Sequence, residues 1–169
     1  MAKLKILIPL DGSEKSMHSL NWLKNIFTSE EAEVTLLHVL EVMYYTDNSG
    51  TVGAVDNKDF DAAAENSDNS GQVGTVGTGG EFGSYDAKNA ELLSNKDLEE
   101  AAKTLEGYTV NTLSTHGSAP DSILKIASEG KYDMIIMTKS SVKGIARIIG
   151  SVTTKVVRNS EIPVIAVPE

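Results

Sequence analysis

Short apolar runs alternate with amphipathic stretches along most of this chain, and that alternation restricts the fold more than any other feature. The apolar runs are nearly continuous, and they cover residues 4–10, 34–42, 133–137 and 162–167. Strands that are buried on both faces of a parallel sheet have this pattern. Residues 108–114 alternate between apolar and polar side chains and add a further predicted strand.

The segments between these runs have helical spacing. A first helix is predicted from a cap at Ser13 to about Phe27, a second ends near Gly107, a third begins at 118–120 and a fourth contains 152–157. Five strands that alternate with four helices predict an α/β fold, an open five-stranded parallel sheet with helices on both faces. We expect the strand order 3-2-1-4-5, in which the winding reverses between the first and fourth strands.

Composition limits the classes of function. The 169 residues suit a single domain, 1–169, and 40% of them are hydrophobic, which is enough for one core. A net charge of −9 disfavours binding to nucleic acid or to anionic lipid. The absence of cysteine fits a cytoplasmic protein, and no apolar run approaches the length of a membrane span, so we expect no membrane partner.

Residues 44–86 differ from the rest of the chain. They are rich in Gly, Asn and Asp, carry acidic side chains and have few large apolar residues. This composition predicts a flexible acidic insertion within the domain. The glycine run at 71–80 is interpreted as a linker, because it lacks the Gly-Lys-Ser/Thr ending of a phosphate loop.

A ligand crevice is expected where the winding of the sheet reverses. Its borders would be Pro9 to Asp11 on one side and Met137 with Thr138 on the other. Gly150 and Ser151 open the fourth helix, where free N–H groups favour an anion. A bare helix cap is the alternative interpretation of that pair.

Residues 131–160 contain six basic side chains and the single acidic residue Asp133. The basic residues are Lys131, Lys139, Lys143, Arg147, Lys155 and Arg158. They predict either a positive field that attracts a phosphate or a solvated helix face. His38 lies inside a predicted buried strand and is interpreted as a core residue, because no second histidine has metal-ligand spacing. No metal site is predicted.

Five segments occur in an order that resembles the universal stress protein family. They are 6–14 (ILIPLDGSE), 36–39 (LLHV), 133–137 (DMIIM), 150–158 (GSVTTKVVR) and 162–164 (IPV). The resemblance covers nearly everything outside the insertion, and it implies the adenine nucleotide alpha hydrolase-like fold.

The resemblance also implies a nucleotide site. In family members that bind nucleotides, a G-x2-G-x9-G-S/T motif follows the fourth strand. By resemblance the site residues are Pro9, Asp11, Val39, Met137, Thr138, Ser141, Gly150, Ser151, Val152 and Thr153. Thr138 and Ser141 replace the first two glycines of the motif, and the segment is one residue shorter, with Gly144 nearby.

The expected function is that of an adenine-nucleotide-binding regulatory protein in stress response, with ATP or AMP as ligand, together with Mg²⁺ for ATP. The resemblance implies a homodimer that is joined through the C-terminal strand, 162–167, which would otherwise be an exposed edge. The alternative is a dimeric adaptor that has lost nucleotide binding through Thr138 and Ser141. Weak ATP hydrolysis is the most catalysis expected, because the sequence offers no catalytic residues in a recognisable arrangement.

Overall fold

The computed structural model describes residues 2–46, 52–56, 87–139 and 150–168. For residues 42–46, 52–56 and 87–90 it describes the backbone alone. The glycine run at 71–80 and most of the predicted insertion therefore lie outside the described residues.

Seven strands are described, and five of them form one parallel sheet. They are β1 (Leu4–Leu10), β2 (Ala32–Leu40), β3 (Val42–Thr46), β4 (Val52–Asp56), β5 (Thr109–His116), β6 (Met134–Thr138) and β7 (Val164–Val167). The five-stranded sheet has the order β5-β2-β1-β6-β7. Counted along its own strands this is 3-2-1-4-5, so the expected fold class and strand order are confirmed.

Four α-helices are described between the strands. They are α1 (His18–Ile26), α2 (Ala87–Lys103), α3 (Ala119–Glu129) and α4 (Ser151–Asn159), and a 3-10 turn at Lys15–Met17 precedes α1. Pro120 lies in the first turn of α3, where its missing N–H costs no helical hydrogen bond. The third helix thus begins within the predicted 118–120 segment.

The helices bury both faces of the sheet. On one face, α1 and α2 cover alternate residues of β1 and β2, among them Ile6, Ile8 and Leu36, each 0% exposed. On the other face, α3 and α4 cover the intervening residues, among them Leu7 and Leu37, also 0% exposed. Truncating one of these side chains to Ala would cost about 2–5 kcal/mol. Burial on both faces explains why these strands are continuous apolar runs in the sequence.

Strand boundaries differ from the sequence prediction by one or two residues in four of the five strands of the main sheet, β2, β5, β6 and β7. β5 is Thr109–His116 where 108–114 was predicted, and β6 is Met134–Thr138 where 133–137 was predicted. β2 begins at Ala32 because it pairs in parallel with β1 from Leu4↔Ala32 onward, before its most apolar part. β7 begins only at Val164, because the Ser160 hydroxyl donates to the Ile162 oxygen and holds a turn there.

Two strands were not predicted at all. β3 and β4 pair antiparallel from Val42↔Asp56 to Thr46↔Val52, and they overlap the start of the 44–86 segment. The β-branched and aromatic residues at 42–46 favour a strand, but the polar, Gly-rich composition that follows hid this signal.

Candidate functional site

The strands β1 and β6 separate at their carboxyl ends. Their pairing is recorded at Ile6↔Met134 and Leu7↔Ile135, whereas β1 remains paired with β2 through Leu10↔His38. Pro9 has no N–H to donate, which is consistent with pairing to β6 that ends before it. A crevice therefore opens between the ends of β1 and β6, at the point where the winding of the sheet reverses.

Three of the predicted site residues share one face of the sheet at this crevice. Because side chains alternate along a strand, Pro9, Val39 and Met137 lie on the same face as the buried Leu7, Leu37 and Ile135. Met137 is 5% exposed, while Pro9 and Val39 are half-buried. This apolar ledge at the open end of the core is suited to a flat apolar group such as a purine base.

The carboxylate of Asp11 is held in place directly after β1. Its Oδ1 accepts hydrogen bonds from the Ser13 N–H at 2.9 Å and from the Ser13 hydroxyl at 2.6 Å. The turn requires Gly12, whose φ of 75° is unfavourable for other residues. Asp11 itself is exposed, so a fixed acceptor stands at the mouth of the crevice.

Ser13 has a different role from the one predicted. Its hydroxyl accepts a hydrogen bond from the Ser16 N–H at 3.2 Å, so it caps the 3-10 turn and not α1. The main-chain N–H of Ser16 also donates to the Ser13 carbonyl at 3.2 Å. The sequence predicted a cap at Ser13, but a sequence pattern does not distinguish a 3-10 turn from the first turn of an α-helix.

The start of α4 supplies backbone N–H groups. Gly150 is the N-cap and has no side chain with which to cap the helix, and the first intrahelical bond runs from the Thr154 N–H to the Gly150 oxygen at 2.9 Å. Ser151 is exposed, whereas Thr153 is 2% exposed and Val152 packs with the core on the α3–α4 side. Such a helix start, anchored by its buried side chains, attracts an anion through its N–H groups and its dipole.

Thr138 points away from this ledge. Its hydroxyl donates to the main-chain oxygen of Ser16 at 3.4 Å, on the face covered by α1. Alternation along β6 places Thr138 on the same side as Ile136, opposite to Met137. The Thr138 side chain thus lies on the other face from the apolar ledge.

The predicted basic cluster is divided by the fold. Lys139 follows β6 at the crevice edge, and its N–H donates to the Val167 oxygen at 2.9 Å. Lys131 follows α3 and precedes β6, so it lies at the amino ends of the strands, away from the crevice. Arg158 lies in the last turn of α4. The field expected from 131–160 is therefore not concentrated at the crevice by the described residues. Ser141, Lys143, Gly144 and Arg147 lie outside the described residues.

A carboxylate that the sequence analysis did not single out lies at the carboxyl ends of the strands, the end at which the crevice opens. Glu41 follows β2, and its Oε1 accepts a hydrogen bond of 2.6 Å from the Ala119 N–H at the start of α3. Sequence spacing gave no signal for this contact, because the two residues are far apart in the chain. His38 is 4% exposed, as expected for a core histidine.

Two negative observations apply to the described part of the chain. Within residues 2–46, 52–56, 87–139 and 150–168, no three His, Cys, Asp or Glu side chains are grouped as metal ligands would be. The helices of the same ranges are too short or too polar for any of them to cross a bilayer.

Comparison with known proteins gives a consistent result. The model of the universal stress protein family matches residues 4–168. Universal stress protein MJ0531 of Methanocaldococcus jannaschii is 26% identical over 170 residues, which cover 96% of this chain and 81% of that protein.

Solved structures agree in fold. Hypothetical protein MJ0577 has a TM-score of 0.65 and 27% identity, covering 100% of this chain and 98% of its own. A universal stress protein family member from Arabidopsis thaliana, solved with AMP bound, has a TM-score of 0.60 and 16% identity, covering 98% of this chain and 92% of its own.

Proposed function

The chain belongs to the universal stress protein family, and on that premise we propose that it is an adenine-nucleotide-binding regulatory protein that acts in stress response. The observation that carries the proposal is the crevice between the ends of β1 and β6, which has an apolar ledge on one face and the Asp11 carboxylate at its mouth. The AMP bound by the Arabidopsis thaliana protein of the same fold supports the choice of ligand class.

The proposed pose follows from the chemistry of each part of the crevice. The adenine base lies on Pro9, Val39 and Met137, because their apolar surfaces suit an aromatic ring. Asp11 accepts a hydrogen bond from a sugar hydroxyl or the base, since its exposed carboxylate is fixed by Ser13.

The phosphates meet the start of α4. The N–H groups of Ser151, Val152 and Thr153 and the Ser151 hydroxyl donate to the phosphate oxygens, while Gly150 allows the backbone to approach them. Thr138 borders this region, with its side chain turned toward Ser16. Ser141 remains part of the proposed site by family resemblance alone, since it lies outside the described residues. Both ATP, with Mg²⁺ on its phosphates, and AMP are included in the proposal.

The output of nucleotide binding is proposed to be an assembly state. Among the described strands, β7 pairs with β6 alone and ends the sheet, so an outer edge is open there for pairing with a second copy. We therefore include in the proposal a cytoplasmic homodimer joined through residues 162–167, in which the nucleotide favours one arrangement of the loops at the crevice. A ligand shifts such an equilibrium only by its differential affinity for the two states.

Chemical-shift mapping by NMR locates the site. With AMP, and separately with ATP and Mg²⁺, we expect the largest amide shifts at Asp11, Val39 and the start of α4. The amides of Lys5 and Asp133 serve as internal controls, because they lie at the amino ends of β1 and β6, away from the crevice. Shifts confined to the amino ends of the strands, or spread evenly over the surface, would contradict the proposed site.

A further inference from the structure

The end of β2 forms the Val39 side of the apolar ledge, and the main sheet supports this end from one side only. β1 pairs with β2 through Leu10↔His38, so beyond that pair β2 has no neighbouring strand on the β1 side among the described residues. On the other side, β5 pairs with β2 through Leu40↔His116. The position of Val39 therefore depends on how the chain just beyond it is held.

Two hydrogen bonds hold the end of β2 to the segment that leads into α3. The Gly117 N–H donates to the Leu40 oxygen at 3.1 Å, and the Ala119 N–H donates to the Glu41 Oε1 at 2.6 Å. The connection from β5 to α3 consists of residues 117–118 alone, so both donors lie next to the start of the helix. Together the two bonds form a clamp between the end of β2 and the start of α3.

The helix on the other side of this clamp is packed into the core. Ile123 and Ala127 of α3 are 2% and 3% exposed, and they belong to the same buried cluster as Leu37 of β2. Val39 packs against that cluster as well. The clamp thus fixes the Val39 side of the ledge to a buried part of the protein.

Glu41 supplies the stronger of the two bonds. A hydrogen bond to a carboxylate is roughly twice as strong as one between neutral groups, and this one is short and partly buried. Directly after Glu41 the chain leaves the main sheet for the β3–β4 hairpin, whose strands pair with each other and with no other described strand. Glu41 therefore fixes the chain at the junction between the sheet and the hairpin, two residues from Val39.

We propose that Glu41 is a positioning residue for the purine base, because its bond to the Ala119 N–H holds Val39 in place as one side of the ledge. This role rests on the proposed nucleotide function and includes no contact between Glu41 and the ligand. The start of α4, which is proposed to take the phosphates, follows β6 on the other side of the ledge. Loss of the clamp should therefore weaken a nucleoside and a nucleotide alike.

Adenosine and AMP separate an effect on the base from an effect on the phosphate. Each is titrated into the full chain and into the variants Glu41→Ala and Glu41→Gln. We expect Glu41→Ala to weaken both ligands by the same factor, about three- to tenfold. Glu41→Gln keeps an acceptor oxygen and should restore part of the affinity. The proposal fails if Glu41→Ala binds like the wild type, if AMP alone is weakened, or if Glu41→Gln restores nothing.

Glu33 provides a matched control on the same strand. It lies near the amino end of β2, away from the crevice, and its Oε1 accepts a hydrogen bond of 3.1 Å from the Asn111 side-chain amide of β5. Glu33→Ala makes the same charge change and also removes a bond, yet we expect both affinities to stay within about twofold of the wild type. An equal loss in Glu33→Ala and Glu41→Ala would mean that net charge, and not the clamp, sets the affinity.

Amide hydrogen exchange without nucleotide tests the clamp separately from the proposed function. In Glu41→Ala, with thermal unfolding showing that the variant is folded, we expect faster exchange at Gly117, whose bond to Leu40 the substitution leaves in place. Glu33→Ala should leave that exchange rate unchanged. Unchanged exchange at Gly117 in Glu41→Ala would overturn the positioning role even where nucleotide binds. Faster exchange in a protein whose wild type binds neither ligand would contradict the nucleotide site and not the clamp.

Discussion

The hydroxyl of Thr138 donates a hydrogen bond of 3.4 Å to the main-chain oxygen of Ser16, and this contact lies on the face of the sheet away from the apolar ledge. A threonine in place of the family's glycine raises the concern that its β carbon obstructs a nucleotide. The direction of the side chain argues against this, because the ledge is formed by Pro9, Val39 and Met137 on the other face.

We therefore expect Thr138→Val to reduce stability without changing nucleotide affinity. Loss of one long, half-buried hydrogen bond lowers the free energy of unfolding by about 0.5–1 kcal/mol. The dissociation constant for AMP should change by less than about twofold, since a tenfold change would require 1.4 kcal/mol at the crevice. Urea unfolding and calorimetry measure the two quantities on the same preparation. If Thr138→Gly, which restores the family residue, tightens AMP binding about tenfold, Thr138 obstructs the crevice after all.

Asp133 and Lys5 join β6 to β1 at the amino ends of the two strands, away from the crevice. The Asp133 Oδ2 accepts from the Lys5 N–H at 2.7 Å, and the Asp133 N–H donates to the Lys5 oxygen at 2.8 Å. Asp133→Ala leaves that N–H without its side-chain acceptor and is expected to cost about 1–2 kcal/mol. Asp133→Asn keeps an acceptor oxygen and should cost less. Urea unfolding tests this order, and equal stability of all three proteins would show that the side-chain bond contributes nothing.

Glu31 gives a pH-dependent signal at a turn remote from the crevice. Hydrogen bonds to its carboxylate lower its pKa below the ordinary value, chiefly the one from the Thr28 N–H and then the one from the Thr28 hydroxyl, each 2.8 Å long. The bonds favour the ionised form, so their contribution to stability is present above the unfolded-state pKa and is lost as pH falls through the folded-state pKa.

Thr28→Val removes the hydroxyl and keeps the N–H. We expect the pKa of Glu31 to rise part of the way toward its ordinary value, and NMR titration of the side-chain carboxyl carbon measures it. An unchanged pKa in Thr28→Val would mean that the hydroxyl does not contribute. A pKa in the wild-type protein equal to that of an unfolded peptide would contradict both hydrogen bonds.

If the dimer is joined through β7, a lysine on β7 should dissociate it, whereas a lysine on the other edge strand, β5, should not. Ala166 is exposed on the edge strand β7, and Thr112 is exposed on β5 at the other edge. A lysine on an edge strand opposes pairing with another strand. We expect Ala166→Lys to convert the dimer to a monomer and Thr112→Lys to leave it intact, as measured by sedimentation equilibrium. Dissociation in Thr112→Lys alone would place the interface on β5 instead.

Most strands of the main sheet could be predicted from the sequence, and individual strands show why. β1 has the predicted bounds, Leu4–Leu10, because both of its faces are buried and its apolar run is unbroken. β2 begins two residues earlier than predicted, because its pairing with β1, and not its hydropathy, determines where it starts. β3 and β4 were missed, because their composition merges with the polar segment that follows.

The candidate site could be predicted from the sequence only in part. The positions of Pro9, Val39 and Met137 on one face follow from strand periodicity and order, which the sequence carries. The bonds from Ser13 to Asp11 and from Thr138 to Ser16 depend on a 3-10 turn and on contact between distant segments, which hydropathy patterns do not encode.

The most direct test of the central proposal is calorimetric titration of the nucleotide-stripped protein with ATP, AMP and cyclic AMP in the presence of Mg²⁺. Two variants of α4 are compared, Gly150→Asp at its start and Asn159→Asp at its end, which make the same charge change about 13 Å apart. We predict micromolar binding of at least one nucleotide, lost in Gly150→Asp and retained in Asn159→Asp. No heat with any nucleotide from folded protein, or equal loss in both variants, would contradict a nucleotide site at the start of α4.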